Sequence, residues 1–163
     1  MKKTAKKNNF LMQGSVLAAA GIIVRIIGLA YRIPLVNTIG KEGMGYYSFA
    51  YSVYAIMLLL SSYSLPLAVS KMISARMSRQ SYVNVSRIFK AAMIYATVVG
   101  FAGCFITYFS AGLFANLFFK TPYTEFALKT LAPTIWIMAY LGVFRGYYQG
   151  HATMIPTAVS QII

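Results

Sequence analysis

Long apolar runs, separated by short polar or basic connections, dominate the pattern of this chain. A helix needs about 20 mostly apolar residues to cross the hydrocarbon core of a bilayer. We therefore predict an all-α bundle of transmembrane helices, a polytopic fold with four full spans and the start of a fifth. The predicted spans are residues 10–36, 46–69, 88–119 and 126–148, and the fifth opens near residue 156.

Polar connections join the predicted spans. Residues 37–45 contain three glycines and both charge signs, which is typical of a turn at the membrane surface. Glycine and proline interrupt regular structure, and charged residues stay in water, so such segments mark where the chain leaves the membrane. The other predicted connections are a basic, Ser-rich link at 71–87, a short turn at 120–125 and a link at 149–155.

The distribution of basic residues predicts the orientation. Cytoplasmic loops carry an excess of Lys and Arg, so residues 1–9 are predicted to be a cytoplasmic basic segment of a multi-pass plasma-membrane protein. Because the first apolar run continues beyond the small residues 18–20 to Val36, an uncleaved span is favoured over a cleaved signal peptide. This orientation places ten basic residues inside, Lys2, Lys3, Lys6, Lys7, Lys71, Arg76, Arg79, Arg87, Lys90 and Arg145, and three outside, Lys41, Lys120 and Lys129.

Composition narrows the function. Hydrophobic residues make up 59% of the chain and charged residues 10%, against about 25% charged in soluble domains. The chain has a net charge of +13, and its basic residues lie mainly between apolar runs and not on one soluble face, which argues against a nucleic-acid partner. One histidine (His151), one cysteine (Cys104) and two distant carboxylates (Glu42 and Glu125) are too sparse for a metal site or a hydrolytic triad. We expect no cofactor and no enzymatic activity.

The first predicted span carries two arginines on a glycine-rich face. An α-helix turns about 100° per residue, so Gly14, Gly21, Arg25, Gly28 and Arg32 share a stripe about 60° wide. A charged side chain deep in a bilayer costs at least about 2.5–3.5 kcal/mol, so the stripe is predicted to face a water-filled cavity or an acidic partner. The functional interpretation is an anion-binding surface, because guanidinium suits phosphate. The alternatives are an ion pair of Arg25 with a carboxylate elsewhere and an Arg32 side chain that reaches the outer interface.

Two further patterns concern contacts of the spans with each other and with the interface. Gly142, Gly146 and Gly150 are four residues apart. This spacing predicts a small-residue face on which another helix packs closely. Tyrosines such as Tyr47 and Tyr51 lie near span ends, which is typical of an interfacial aromatic belt.

Three stretches resemble one known family. They are VRIIGLAYRIP at residues 24–34 with the segment that follows it, LPLAVSKMISAR at 65–76 and RGYYQGHATMIPTAVSQII at 145–163. The third is the most specific, with an arginine, two glycines and a Pro-Thr-Ala opening of the next helix. Together they resemble the N-terminal part of polysaccharide-export proteins of the MOP superfamily, of the MurJ and stage V sporulation protein B type.

The resemblance implies a flippase for lipid-linked oligosaccharides, meaning sugars carried on a polyprenyl pyrophosphate, such as lipid II. Such proteins place their helices in two lobes around a central cavity and work by alternating access without ATP. The implied pyrophosphate-binding residues are Arg25, in an Arg-x-x-Gly setting with Gly28, and Arg32, with one extra residue between the two arginines. The implied partners are the lipid-linked sugar pyrophosphate, membrane lipids and a C-terminal part of the same protein that is missing here.

Two other functions remain open at this point. A small stand-alone membrane subunit would oligomerise through its glycine faces and bind anionic lipid. A membrane enzyme acting on a lipid phosphate would need acid and base residues near the membrane. Since Glu42 and Glu125 are predicted on separate outer loops, the enzyme is the less favoured of the two.

Overall fold

The computed structural model describes residues 2–118 and 122–162, and within them the chain is almost entirely helical. Long apolar sequences form helices because a helix satisfies every backbone hydrogen bond within itself. In chain order the elements are α1 (Lys2–Leu58), a π-helical turn (Leu59–Tyr63), α2 (Leu65–Met77), α3 (Tyr82–Phe118), α4 (Pro122–Gly150) and α5 (Ile155–Ile162).

A single glycine divides α1 into two arms. Gly40 has φ 77° and ψ 175°, a left-handed backbone that residues with a Cβ rarely adopt. The first arm comprises residues 2–39 and the second arm residues 41–58. The prediction of a turn over residues 37–45 was therefore too broad, because the flanking residues stay helical and the direction changes at Gly40 alone.

The basic link predicted at 71–87 was also too long. Helix α2 continues to Met77 and α3 begins at Tyr82, so residues 78–81 alone form the turn. Gln80 reverses the chain there with φ 55°. The basic side chains of this region lie mainly on helix ends, where solvated polar residues extend an apolar helix without breaking it.

Helix α4 lies at the centre of the packing. Its Leu128 and Ile135 belong to one buried cluster together with Ala50 of the second arm. Its Ala139 and Val143 belong to a second cluster, which joins α4 to α2 and α3. Small residues allow these helices to approach closely, because no large side chain separates their backbones.

The first arm contributes little to this core. Ala20 is 3% exposed, but large side chains such as Ile26 and Leu29 are 61% and 70% exposed. The N–H of Met154 donates to Oε1 of Gln13 at 3.1 Å, which ties the arm to the segment before α5. Its apolar surface therefore faces the surroundings, as expected for a helix in lipid.

Length and hydropathy place the chain in a membrane. Within the described residues three stretches are long and apolar enough to cross a bilayer, at 12–77, 82–117 and 123–150. The first is 66 residues long, roughly 100 Å at 1.5 Å per residue, about three times the hydrocarbon thickness. It covers residues 12–36 of the first predicted span and all of the one predicted at 46–69, with Gly40 between them. These findings support an all-α polytopic membrane bundle.

Candidate functional site

The arginine and glycine stripe lies on the first arm of α1 and faces open space. The side chains of Arg25 and Arg32 are both exposed. A Cβ built on Gly14, Gly21 or Gly28 would meet no atom within 4 Å. No described part of the chain therefore packs on this face, and a ligand, a lipid or another protein segment has access to it.

A cavity of about 510 Å³ opens between the two arms of α1. The break at Gly40 makes it possible, because it turns the second arm so that residues of both arms line one space. Arg32 and Gly28 belong to the lining, whereas Arg25 does not. The lining residues are Gly28, Tyr31, Arg32, Leu35, Met44, Tyr47, Ser48, Tyr51 and Ser52.

The wall contributed by the second arm carries aromatic rings and hydroxyl groups. The rings of Tyr47 and Tyr51 stack with centroids 6.1 Å apart. The hydroxyl of Ser52 donates to the carbonyl oxygen of Ser48 at 2.9 Å, which leaves its oxygen able to accept. Sequence reasoning missed this wall, because it assigned the tyrosines to an interfacial belt. A signal was present, since a Tyr-Ser pair recurs at 47–48 and 51–52, one helical turn apart.

The positive charge of the two arginines has no anionic partner in the described residues. The only ion pair there joins Lys129 and Glu125, with Nζ and Oε1 2.6 Å apart. Glu42, the other carboxylate of the chain, lines a different cavity, of about 440 Å³, beside Tyr123. An ion pair of Arg25 or Arg32 within the described chain is therefore not formed. A guanidinium free in this way can bind a phosphate through two parallel hydrogen bonds.

The glycines of α4 form a separate site, a contact with α2. A Cβ on Gly146 would lie 2.7 Å from the carbonyl oxygen of Pro66, and one on Gly150 would lie 2.7 Å from Cβ of Ile73. Gly142 is buried and lines a cavity of about 330 Å³ together with Arg145. The structure thus places these glycines between helices, remote from the stripe on α1.

Arg145 is a further basic residue with a defined role, which the sequence did not reveal. Its Nε donates to Oγ of Ser160 at 3.1 Å, and its NH2 group donates to the carbonyl oxygen of Ser160 at 3.0 Å. The two bonds fasten α5 to α4. Since fifteen residues separate the partners, no local spacing pointed to this contact.

No metal centre is present in the part of the chain that the structure describes. No group of three or more His, Cys, Asp and Glu side chains comes together there. His151 directs Nδ1 to the carbonyl oxygen of Tyr147 at 2.8 Å, and Cys104 lies partly buried in α3. The chemistry available to the site is therefore that of arginine, tyrosine and serine, which bind anions and hydroxyl-bearing ligands.

Comparison with known proteins identifies relatives along nearly the whole chain. Residues 10–163 match the sequence model of the polysaccharide biosynthesis protein family. The chain is 30% identical to the lipid II flippase MurJ of Bacillus subtilis (strain 168) over 162 residues, which cover 94% of this chain and 30% of that protein. It is 29% identical to stage V sporulation protein B of the same organism, over 96% of this chain and 30% of that protein. No solved structure matches the chain.

The chain spans 30% of the length of these two relatives. A third relative, the uncharacterized membrane protein YabM of Bacillus subtilis (strain 168), is 28% identical over 96% of this chain and 29% of its own length. These findings confirm the resemblance to the MOP superfamily that was drawn from the sequence. The chain belongs to the polysaccharide biosynthesis protein family.

Proposed function

We propose that this chain forms part of a flippase that moves a lipid-linked sugar pyrophosphate across the plasma membrane by alternating access. The observation that carries the proposal is Arg32, an arginine without a carboxylate partner in the described residues, on the wall of a cavity between two membrane helices. The name of one relative agrees with it, since that protein is a lipid II flippase. Because the chain corresponds to 30% of these relatives, the activity is proposed for the protein that contains this segment.

The chemistry of the cavity suits such a substrate. A pyrophosphate presents several anionic oxygens, which accept paired hydrogen bonds from a guanidinium. The Ser48 and Tyr51 side chains on the opposite wall add a hydroxyl group and a ring face, both common in sugar recognition. Arg25 lies two helical turns from Arg32 on the same face, about 10 Å away along the helix axis. We assign Arg32 to binding in the cavity and Arg25 to an earlier contact outside it.

The orientation of the chain is part of the proposal. With residues 1–9 in the cytoplasm, ten basic residues lie inside and three outside, as the positive-inside rule requires. The stripe of arginines and glycines on α1 then begins near the inner leaflet. Accessibility of cysteines introduced at residues 3 and 41 to a membrane-impermeant reagent tests this orientation. Labelling of residue 3 in intact cells would contradict it.

The experiment for the function uses the complete protein as the sole flippase of its kind in a bacterial host. Arg32→Ala is expected to abolish export, with lipid-linked precursor accumulating in the inner leaflet while membrane insertion stays normal. Arg32→Lys keeps the charge and loses the planar fork, so we expect partial activity. Lys90→Ala, which removes an exposed basic residue outside the lining of the cavity, is the matched control. Normal export by Arg32→Ala would refute the proposed role.

A second candidate function rests on the open face of the first arm. Gly14, Gly21 and Gly28 leave a surface without a partner in the described chain, and such faces pair helices in membranes. A small oligomerising subunit that binds anionic lipid is therefore the alternative. Sedimentation of this chain in detergent distinguishes the two, because the subunit predicts a stable oligomer that Gly21→Ile dissociates.

A further inference from the structure

The turn between α2 and α3 brings three arginines to one cleft. Gln80 reverses the chain within residues 78–81, so that the end of α2 and the start of α3 face each other. The cleft has a volume of about 400 Å³. Its lining consists of Met72, Ala75, Arg76, Arg79, Asn84, Arg87 and Ile88.

No anionic side chain compensates these arginines in the described residues. Arg76, Arg79 and Arg87 are exposed and form no ion pair. Like charges held close together repel each other, and this convergence therefore costs free energy. The positive-inside rule explains the number of basic residues in a cytoplasmic loop, but it does not require three guanidinium groups on the wall of one cleft.

An apolar groove continues from the basic cleft between the same two helices. It has a volume of about 580 Å³ and shares Met72, Arg87 and Ile88 with the cleft. Arg87 therefore stands where the basic and apolar parts meet. The groove is lined by Ser64, Leu65, Ala68, Val69, Met72, Arg87, Ile88, Ala91, Ala92 and Tyr95.

We propose that this combined site binds one anionic glycerophospholipid of the surrounding membrane. The phosphate lies between Arg76, Arg79 and Arg87 and accepts charge-assisted hydrogen bonds, and Asn84 donates to the headgroup. One acyl chain follows the groove past Ala91 towards Tyr95. A free phosphate would use the cleft alone and leave the groove unexplained. The site is on α2 and α3, apart from the α1 cavity. It rests on the proposed orientation of the chain and not on the proposed transport activity.

The charge complementarity of the membrane supports this occupant. In the proposed orientation the cleft faces the cytoplasmic leaflet, whose anionic lipids attract basic segments beside a membrane helix. A zwitterionic lipid has the same acyl chains but carries a cationic group next to the phosphate. The three arginines repel this cationic group, so we expect the site to bind a zwitterionic lipid less tightly. We therefore expect selectivity for headgroup charge together with a requirement for the acyl chain.

The headgroup is tested with the full chain in nonionic detergent, by native mass spectrometry with added dioleoylphosphatidylglycerol. The triple variant of Arg76, Arg79 and Arg87 to Gln is expected to bind this lipid at least about tenfold more weakly, as loss of charge-assisted hydrogen bonds implies. The control, Lys2, Lys3 and Lys6 to Gln, removes the same charge elsewhere and is expected to bind normally. Because the three arginines are exposed, the triple variant should fold, and Arg87→Gln alone provides a milder test. Equal binding by the triple variant and its control would overturn the proposal.

The acyl chain is tested without any change of charge. Ala91→Trp fills the groove and is expected to weaken phosphatidylglycerol binding by about tenfold, whereas Ala102→Trp, on an exposed position of α3 outside the groove, is not. Dioleoylphosphatidylcholine is expected to bind weakly, and inorganic phosphate at millimolar concentration is expected not to displace the lipid. Full displacement by phosphate would identify a free-anion site. That result, or normal binding by Ala91→Trp, would refute the lipid assignment.

Discussion

The contact between Gly146 of α4 and the start of α2 gives a sharp prediction about stability. A Cβ at position 146 would lie 2.7 Å from the carbonyl oxygen of Pro66, 2.8 Å from Cβ of Val69 and 3.0 Å from Cα of Pro66. Two of these atoms belong to a backbone that the proline ring stiffens. Gly146→Ala therefore forces the two helices apart, because no flexible side chain can move out of the way.

The magnitude follows from two opposing contributions. Adding a methyl group to a closely packed contact costs about 1–3 kcal/mol, while replacing glycine by alanine within a helix gains up to about 1 kcal/mol. Gly45→Ala is the matched control, since a Cβ there would meet nothing within 4 Å. Gly45→Ala therefore has the gain in helix stability without the packing cost. We expect Gly146→Ala to be less stable than Gly45→Ala by about 1–3 kcal/mol.

Reversible unfolding in mixed micelles measures this difference. Trp136 is the only tryptophan of the chain and reports on the α3–α4 contact, because its ring meets that of Phe101 with centroids 5.7 Å apart. A spin-label distance between α2 and α4 provides a second readout and is expected to lengthen in Gly146→Ala. Equal stability of Gly146→Ala and Gly45→Ala would refute the close contact on which the reasoning rests.

Two further predictions concern the α5 contact and the break in α1. Arg145→Gln removes both hydrogen bonds to Ser160. A hydrogen bond to a charged group contributes about 1.5–3 kcal/mol, so we expect α5 to detach and its amides to exchange hydrogen faster. Ser160→Ala removes only one of the two bonds and should have a smaller effect. Gly40→Ala places a Cβ where φ is 77° and ψ 175°, at a cost of about 1–3 kcal/mol, and should straighten α1. A spin-label distance between residues 35 and 48 is expected to lengthen, and an unchanged distance would contradict the role of Gly40.

The helices were predictable from the sequence. A long apolar run is stable in lipid, and there its backbone N–H and C=O groups must form hydrogen bonds with each other, as they do in a helix. The close α2–α4 contact was also foreshadowed, since Gly146 and Gly150 recur at one-turn spacing. Element ends were less predictable. Polarity marked residues 71–87 as a link, but polar residues continue a helix as readily as they end one, and three-quarters of that segment is helical.

The walls of the α1 cavity could not be derived from pattern alone. They depend on the direction in which the second arm leaves Gly40. That direction is set by the backbone dihedral angles of this one glycine, and the pattern did not distinguish Gly40 from the other glycines of the chain. The backbone conformation of Gly40 places the hydroxyl groups of Ser48 and Ser52 in the same cavity as Arg32, which the sequence pattern did not indicate. The role of Arg32 itself stays a prediction, which the export experiment tests.

The central position of α4 has a consequence for the order in which the chain is made. Its partners, the second arm of α1, α2 and α3, are synthesised before it and must reside in the bilayer while their contact surface is still missing. An 18-residue window within the stretch at 12–77 has a mean hydropathy of 1.9 and is 6% buried, whereas the corresponding window within 123–150 has a mean hydropathy of 1.4 and is 33% buried. The helices synthesised first are thus apolar enough to insert without α4. The more polar α4 then inserts next to partner helices that are already in the membrane. Insertion of α4 would then bring the second arm of α1, α2 and α3 together around it.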